Sequence, residues 1–177
     1  VKSLILTALV MTIIQGHNIV FKFHEHCDLA QWGVVDDVIM GGNSDGNLYL
    51  DKEGNGVFKG HVSIENNGGF SSIQCKLNTI DVRNYNSIRL NIKGDGSIFQ
   101  FRIKHSQSDR HSYSYNFKTS GQWETVNIPL NELKPSFRGF KLNLPNFNKP
   151  NIDQIGILKA SKSEVDFKLI IQSITLH

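Results

Sequence analysis

Hydrophobic residues recur at every second position along most of this chain, and that period calls for extended strands with one buried face. In SIRLNIK (87–93), Ile88, Leu90 and Ile92 alternate with Arg89, Asn91 and Lys93. In YSYNFKT (113–119), Tyr113, Tyr115 and Phe117 alternate in the same way. Both sets are expected to face the interior. Further strands are expected over 18–23, 47–50, 57–64, 70–77, 98–103, 123–128, 155–159 and 167–176. The runs are separated by ENNGG, KGDGS, DKEGNG and similar clusters. Such clusters turn the chain, because Gly tolerates positive φ and Asn and Asp bond to nearby backbone. About ten short strands punctuated this way indicate an all-β jelly-roll sandwich. Only HCDLAQW (26–32) reads as helical, with Asp28 as its N-cap, and NELKP (131–135) reads as a turn stopped by Pro135.

The chain has 177 residues, 39% of them hydrophobic and 20% charged, enough for one domain to bury its own core. Residues 18–177 read as that domain, without repeat or linker. Net charge is +3, from 19 basic and 16 acidic residues with the signs interspersed, so no nucleic-acid surface is expected. Behind Lys2 an apolar run covers residues 4–14. It is shorter than the roughly 20 residues a bilayer span needs, so no stable membrane span is expected. It suits a secretory leader, and residues 1–16 are read as a signal peptide or N-terminal leader of an exported, periplasmic or secreted protein. A start at Met11 is the alternative and would leave a cytoplasmic protein. Cys27 and Cys75 read as small buried hydrophobes, or as a disulfide pair in an oxidising compartment.

The familiar catalytic signatures (G-x-S-x-G, H-E-x-x-H, C-x-x-C, G-x-G-x-x-G, the Walker loop) are absent from the sequence. DKEGNG (51–56) imitates the start of an EF-hand loop, but Val62 stands where the bidentate Glu belongs, and the stretch reads as a hairpin turn. His24 and His26 would share one face of a strand with Cys27 pointing away, and two ligands do not make a zinc site. No metal or cofactor is therefore expected, and no catalytic residue.

The chemistry-bearing stretch is DDVIMGGNSDG (36–46). Asp36 reads as a turn cap. Asp37 is either another cap or part of a site. Gly41 and Gly42 allow close backbone approach, Met40 offers a soft apolar contact, and Ser44 and Asp45 can close the turn. Asn66, Asn67, Gly68 and Gly69 build a second polar loop, and Arg138 is a candidate cation for Asp37. Both loops and Arg138 are expected at one end of the sandwich. They either brace it or floor a polar recess for a partner segment or small ligand. The candidate binding set is Asp37, Met40, Gly41, Gly42, Ser44, Asn66, Asn67 and Arg138.

Five stretches in order, WGVVDDVIMGGNSDG (32–46), GVFKGHVSIENNGGFSSIQ (56–74), KGDGSIFQFRI (93–103), QWETVNIPLNELKPSFRG (122–139) and FKLIIQSI (167–174), resemble the complex I intermediate-associated protein 30 family. The resemblance implies a galactose-binding-like β-sandwich. It also implies a non-enzymatic, chaperone-like assembly factor for respiratory NADH:ubiquinone oxidoreductase, with a protein partner. Two departures from the resemblance are read: no long N-terminal extension like that of the mitochondrial members is expected, and LKASKSEVDFKL (158–169) matches only loosely. The alternative is an exported glycan-binding module, with Trp32, Trp123 and several Tyr as stacking platforms. Against it, strand-start Trp residues usually pack into cores.

Overall fold

A computed structural model describes residues 18–177, apart from the side chains of Asn18, Ile39 and Met40. The 1–16 leader reading therefore lies outside the described residues. The alternating pattern becomes two antiparallel sheets stacked as a jelly-roll sandwich. One sheet runs β3 (Asp45–Leu50), β4 (Gly56–Val62), β13 (Val165–Leu176), β6 (Ser87–Lys93), β9 (Trp123–Pro129), with β1 (Asn18–Lys22) also pairing β13. The other runs β11 (Phe140–Lys141), β10 (Lys134–Phe137), β8 (Ser112–Lys118), β7 (Ile98–Lys104), β12 (Asn151–Ala160), β5 (Phe70–Asp81), β2 (Trp32–Asp36).

The core lies between the sheets. Ile88, Leu90 and Ile92 of β6 are completely buried, Tyr113 and Phe117 of β8 nearly so, and Tyr115 is partly buried against them. Across the gap, the Phe167 ring of β13 meets Phe99 of β7 edge-on, at 6.3 Å between centroids. Each fully buried Ile, Leu or Phe contributes roughly 1.5–3 kcal/mol relative to exposure, so the period-two rows hold the sandwich shut.

Two segments depart from expectation. Residues 26–32 form turns instead of a helix: Asp28 Oδ1 accepts the Ala30 N–H at 2.7 Å, and Trp32 begins β2. The local Asx turn competes with helix, and the Trp32 ring is drawn onto Phe21 and Phe23, 5.2 and 5.5 Å away. The strand β2 was hidden in that reading. A 3-10 turn does cover Leu130–Glu132, but Pro135 then enters β10 opposite Tyr113 instead of ending structure.

Candidate functional site: two crossovers and a basic cleft

The 36–46 stretch leaves β2 through a 3-10 turn, Asp37–Met40, that closes on Gly41 at φ +90°, and then enters β3 in the opposite sheet. The second polar loop leaves β4 through Glu65–Asn67 and crosses to the seven-stranded sheet as β5. Asn66 and Asn67 take positive φ there (52° and 62°), a conformation Asn tolerates better than most residues. Both loops are thus crossovers between sheets, and they meet at one end.

Asp37 joins them. It is 0% exposed. Its Oδ1 accepts the Ser44 N–H at 3.0 Å, and its Oδ2 accepts the Ser44 hydroxyl at 2.5 Å, the Gly69 N–H at 2.6 Å and the Phe70 N–H at 3.1 Å. Burial alone would raise its pKa, but these donors outweigh it and hold the carboxyl below its usual value. The Ser44 Oγ in turn accepts the Ser63 N–H at 2.9 Å. A Cβ on Gly68 would lie 2.6 Å from Asp37 Oδ2, and one on Gly42 would overlap Oδ1. These two glycines are needed for space, not for backbone conformation.

Asp37 and Ser44 therefore satisfy each other inside the protein. Gly41, Asn66 and Asn67 are exposed, Gly42 is buried, and the Met40 side chain lies outside the described residues. Arg138 is not the partner of Asp37. No ion pair joins them among the described residues, and the Arg138 guanidinium lies over the Phe137 ring, 5.4 Å from its centroid. Backbone N–H groups supply the compensation that the sequence suggested Arg138 would give.

The backbone that Asp37 fixes, Gly68 to Phe70, forms one wall of a cleft of about 450 Å³ on the outer face of the seven-stranded sheet. Its floor is a row in register: Gln74 on β5, Gly156 on β12 and Arg102 on β7. Gly156 leaves the middle of the row low; a Cβ there would come within 2.9 Å of the Ile73 carbonyl. Arg102 is half-buried, and its Nε donates to Gln100 Oε1 at 2.6 Å. Burial pulls its pKa down from the usual arginine value. Arg110 and Arg138 both lean on Phe137 at the rim, each 5.4 Å from the ring centroid, and Lys104 donates to the Asp109 carbonyl at 2.8 Å. Among the described residues, the lining includes no Asp, Glu, His or Cys.

Sequence reasoning missed this cleft. The period in IFQFRIK does send Arg102 opposite to Phe101 and Ile103, but nothing local names its neighbours on β5, β8 and β12. The aromatic platforms also fall elsewhere: Trp32 is 8% exposed within the core, Trp123 lies on β9 of the opposite sheet, and neither Trp nor Tyr lines the cleft. Asp51 Oδ1 accepts the N–H groups of Glu53 and Asn55, so DKEGNG is the β3–β4 hairpin turn. Cys27 and Cys75 are both free thiols, and burial pushes the Cys75 pKa up to about 11. Among the described residues, no three His, Cys, Asp or Glu converge on a metal position, and no helix is long and apolar enough to cross a membrane.

The family model for complex I intermediate-associated protein 30 matches residues 21–171. The chain belongs to this family. A protein of Schizosaccharomyces pombe is 27% identical over 179 residues, covering 88% of this chain and 82% of the relative. Among solved structures, a family 11 carbohydrate-binding module from a cellulosomal cellulase of Clostridium thermocellum superposes with a TM-score of 0.70 at 17% identity, covering 91% of this chain and 94% of that one. The same module in complex with a β-1,3-1,4-mixed-linked tetrasaccharide gives 0.66 at 17% identity, covering 90% and 94%. A family 29 carbohydrate-binding module gives 0.55 at 14% identity, covering 90% and 87%. At these identities the likeness is one of fold.

Proposed function

We propose that this member of the family is a non-enzymatic binding module that grips a partner polypeptide in the cleft, as an assembly factor for respiratory NADH:ubiquinone oxidoreductase would. The observation that carries the reading is the cleft itself. It is open and built on a β-sheet, basic side chains stand in a largely apolar lining, and among the described residues that lining has no carboxylate, imidazole or thiol to serve as general base or activated nucleophile. The family description, an intermediate-associated protein, supports a protein as the occupant.

A second reading, a glycan-binding module, draws on the fold shared with carbohydrate-binding modules. The lack of Trp and Tyr in the cleft weighs against it: of its two aromatic side chains, Phe70 and Phe137, the Phe137 ring is already covered by Arg110 and Arg138.

Site-specific photo-crosslinking separates the two. A benzophenone side chain at Ser136, in the cleft, is expected to capture subunits of the oxidoreductase in native cells, while one at Thr125 on the opposite sheet does not. Failure at Ser136, together with retardation of the protein in gels containing mixed-linkage β-1,3-1,4-glucan, would replace the first reading by the second.

A further inference from the structure

Within the binding-module reading, on which this inference rests, we propose that the cleft recognises an acidic, extended polypeptide segment, with Arg102 pairing one of its side-chain carboxylates. Arg102, Lys104, Arg110 and Arg138 line the cleft, and no acidic residue does. The chain as a whole is nearly balanced, with 19 basic and 16 acidic residues, so the segregation is local. The ion pairs among the described residues lie elsewhere: Arg83 with Asp81, and His61 with Glu164 and Asp166.

Arg102 is the informative member. A guanidinium drawn partly out of water without a counter-charge is costly. Its Nε is occupied by Gln100, whereas its two terminal nitrogens have no partner among the described residues. Its register neighbours are Gly156, which has no side chain, and Ser114, which has a small one, so neither crowds the guanidinium. That geometry leaves the planar fork free for a carboxylate, which Arg binds bidentately. Arg110 and Arg138 are braced on the Phe137 ring and meet further negative charge at the rim.

The neutral lining selects a peptide among anionic ligands. Gln74, Gln154, Ser112 and Ser136 offer donors and acceptors suited to backbone amides, and no Trp or Tyr offers a platform to a sugar ring.

The test uses the full chain and fluorescein-labelled hexaglutamate, read by anisotropy. Saturable binding that weakens with added salt is expected, with labelled hexaglutamine unbound. Arg102→Gln should weaken hexaglutamate binding at least tenfold. Arg102→Lys keeps the charge but loses the fork, and should weaken it severalfold. Both variants should melt at the wild-type temperature, and Arg83→Gln, remote from the cleft, should bind normally. The inference is overturned if hexaglutamate does not bind, if Arg102→Lys and Arg102→Gln bind it like wild type, or if trigalacturonate or inorganic phosphate displaces it at lower concentration than unlabelled hexaglutamate does. Crosslinking from Ser136 to oxidoreductase subunits that persists undiminished in Arg102→Gln would also overturn it, while leaving the binding-module reading in place.

Discussion

The Oδ2 atom of Asp37 accepts the Gly69 N–H at 2.6 Å, and this bond ties together two places where the chain passes from one sheet to the other. The β2–β3 crossover carries Asp37 and Ser44; the β4–β5 crossover carries Gly69 and Phe70. A single buried carboxylate thereby sets the spacing of the sheets at one end and fixes the Gly68–Phe70 wall of the cleft. No part of it reaches the surface, so it does not itself face the cleft.

Asp37→Ala is expected to destabilise the protein by about 3–5 kcal/mol, because it leaves several buried donors without an acceptor. Asp37→Asn should lose nearly as much, since the amide offers one acceptor oxygen where the loops supply donors to two. Urea unfolding monitored by circular dichroism reads both. The carboxyl pKa is lowered in the folded state, so its stabilisation is present above the unfolded value of about 3.9 and is lost as pH falls through the folded value. Wild type should therefore lose stability in strong acid by a component that Asp37→Ala lacks. A change of less than about 1 kcal/mol on Asp37→Ala at neutral pH would remove Asp37 from this role.

Gly42→Ala is expected to cost about 1–3 kcal/mol, as overpacking against a fixed group does. The obstacle is the Asp37 side chain, so the substitution should cost much less in an Asp37→Ala background. A double-mutant cycle measures that coupling, and simple additivity of the two substitutions would show that Gly42 is constrained by something else.

His61 sits between two carboxylates, with Nδ1 2.7 Å from Asp166 and Nε2 2.6 Å from Glu164. The hydrogen bonds to Asp166 and then Glu164 raise its pKa. A raised folded value means the contribution is complete below the unfolded value of about 6.5 and is lost as pH rises through the folded one. The pKa of Glu164 is lowered, chiefly by the Ile64 N–H and then by His61, so its own contribution is lost as pH falls through the acid range. His61→Gln should therefore lower the melting temperature most between these limits, near pH 6, and least near pH 9. An effect independent of pH would show that the ring is held by packing alone.

Much of the sandwich could be read in the sequence. A period of two is a local property, and Ile88, Leu90, Ile92, Tyr113 and Phe117 had only one way to be buried together. The polar crossovers were also legible, since Gly42, Ser44, Gly68 and Gly69 announce tight backbone approach. Local signals failed at 26–32, where a capping Asp and a terminal Trp imitate a helix while the aromatic cluster with Phe21 and Phe23 places Trp32 on an edge strand.

By itself the sequence determined which residues turn inward, where the chain bends and that Asp37 stands in a loop crowded with donors. Only the tertiary structure decided what Asp37 meets, which is Gly69 and Phe70 instead of Arg138. It alone brought Arg102, Gln74 and Gly156 into one row, although they lie on three strands far apart in the chain. The physical reason is that strand alternation is written in adjacent residues, whereas lateral register is set by which strands become neighbours in the sheet. The cleft is a product of that register: a small residue on one strand opens a gap beside a cation on the next.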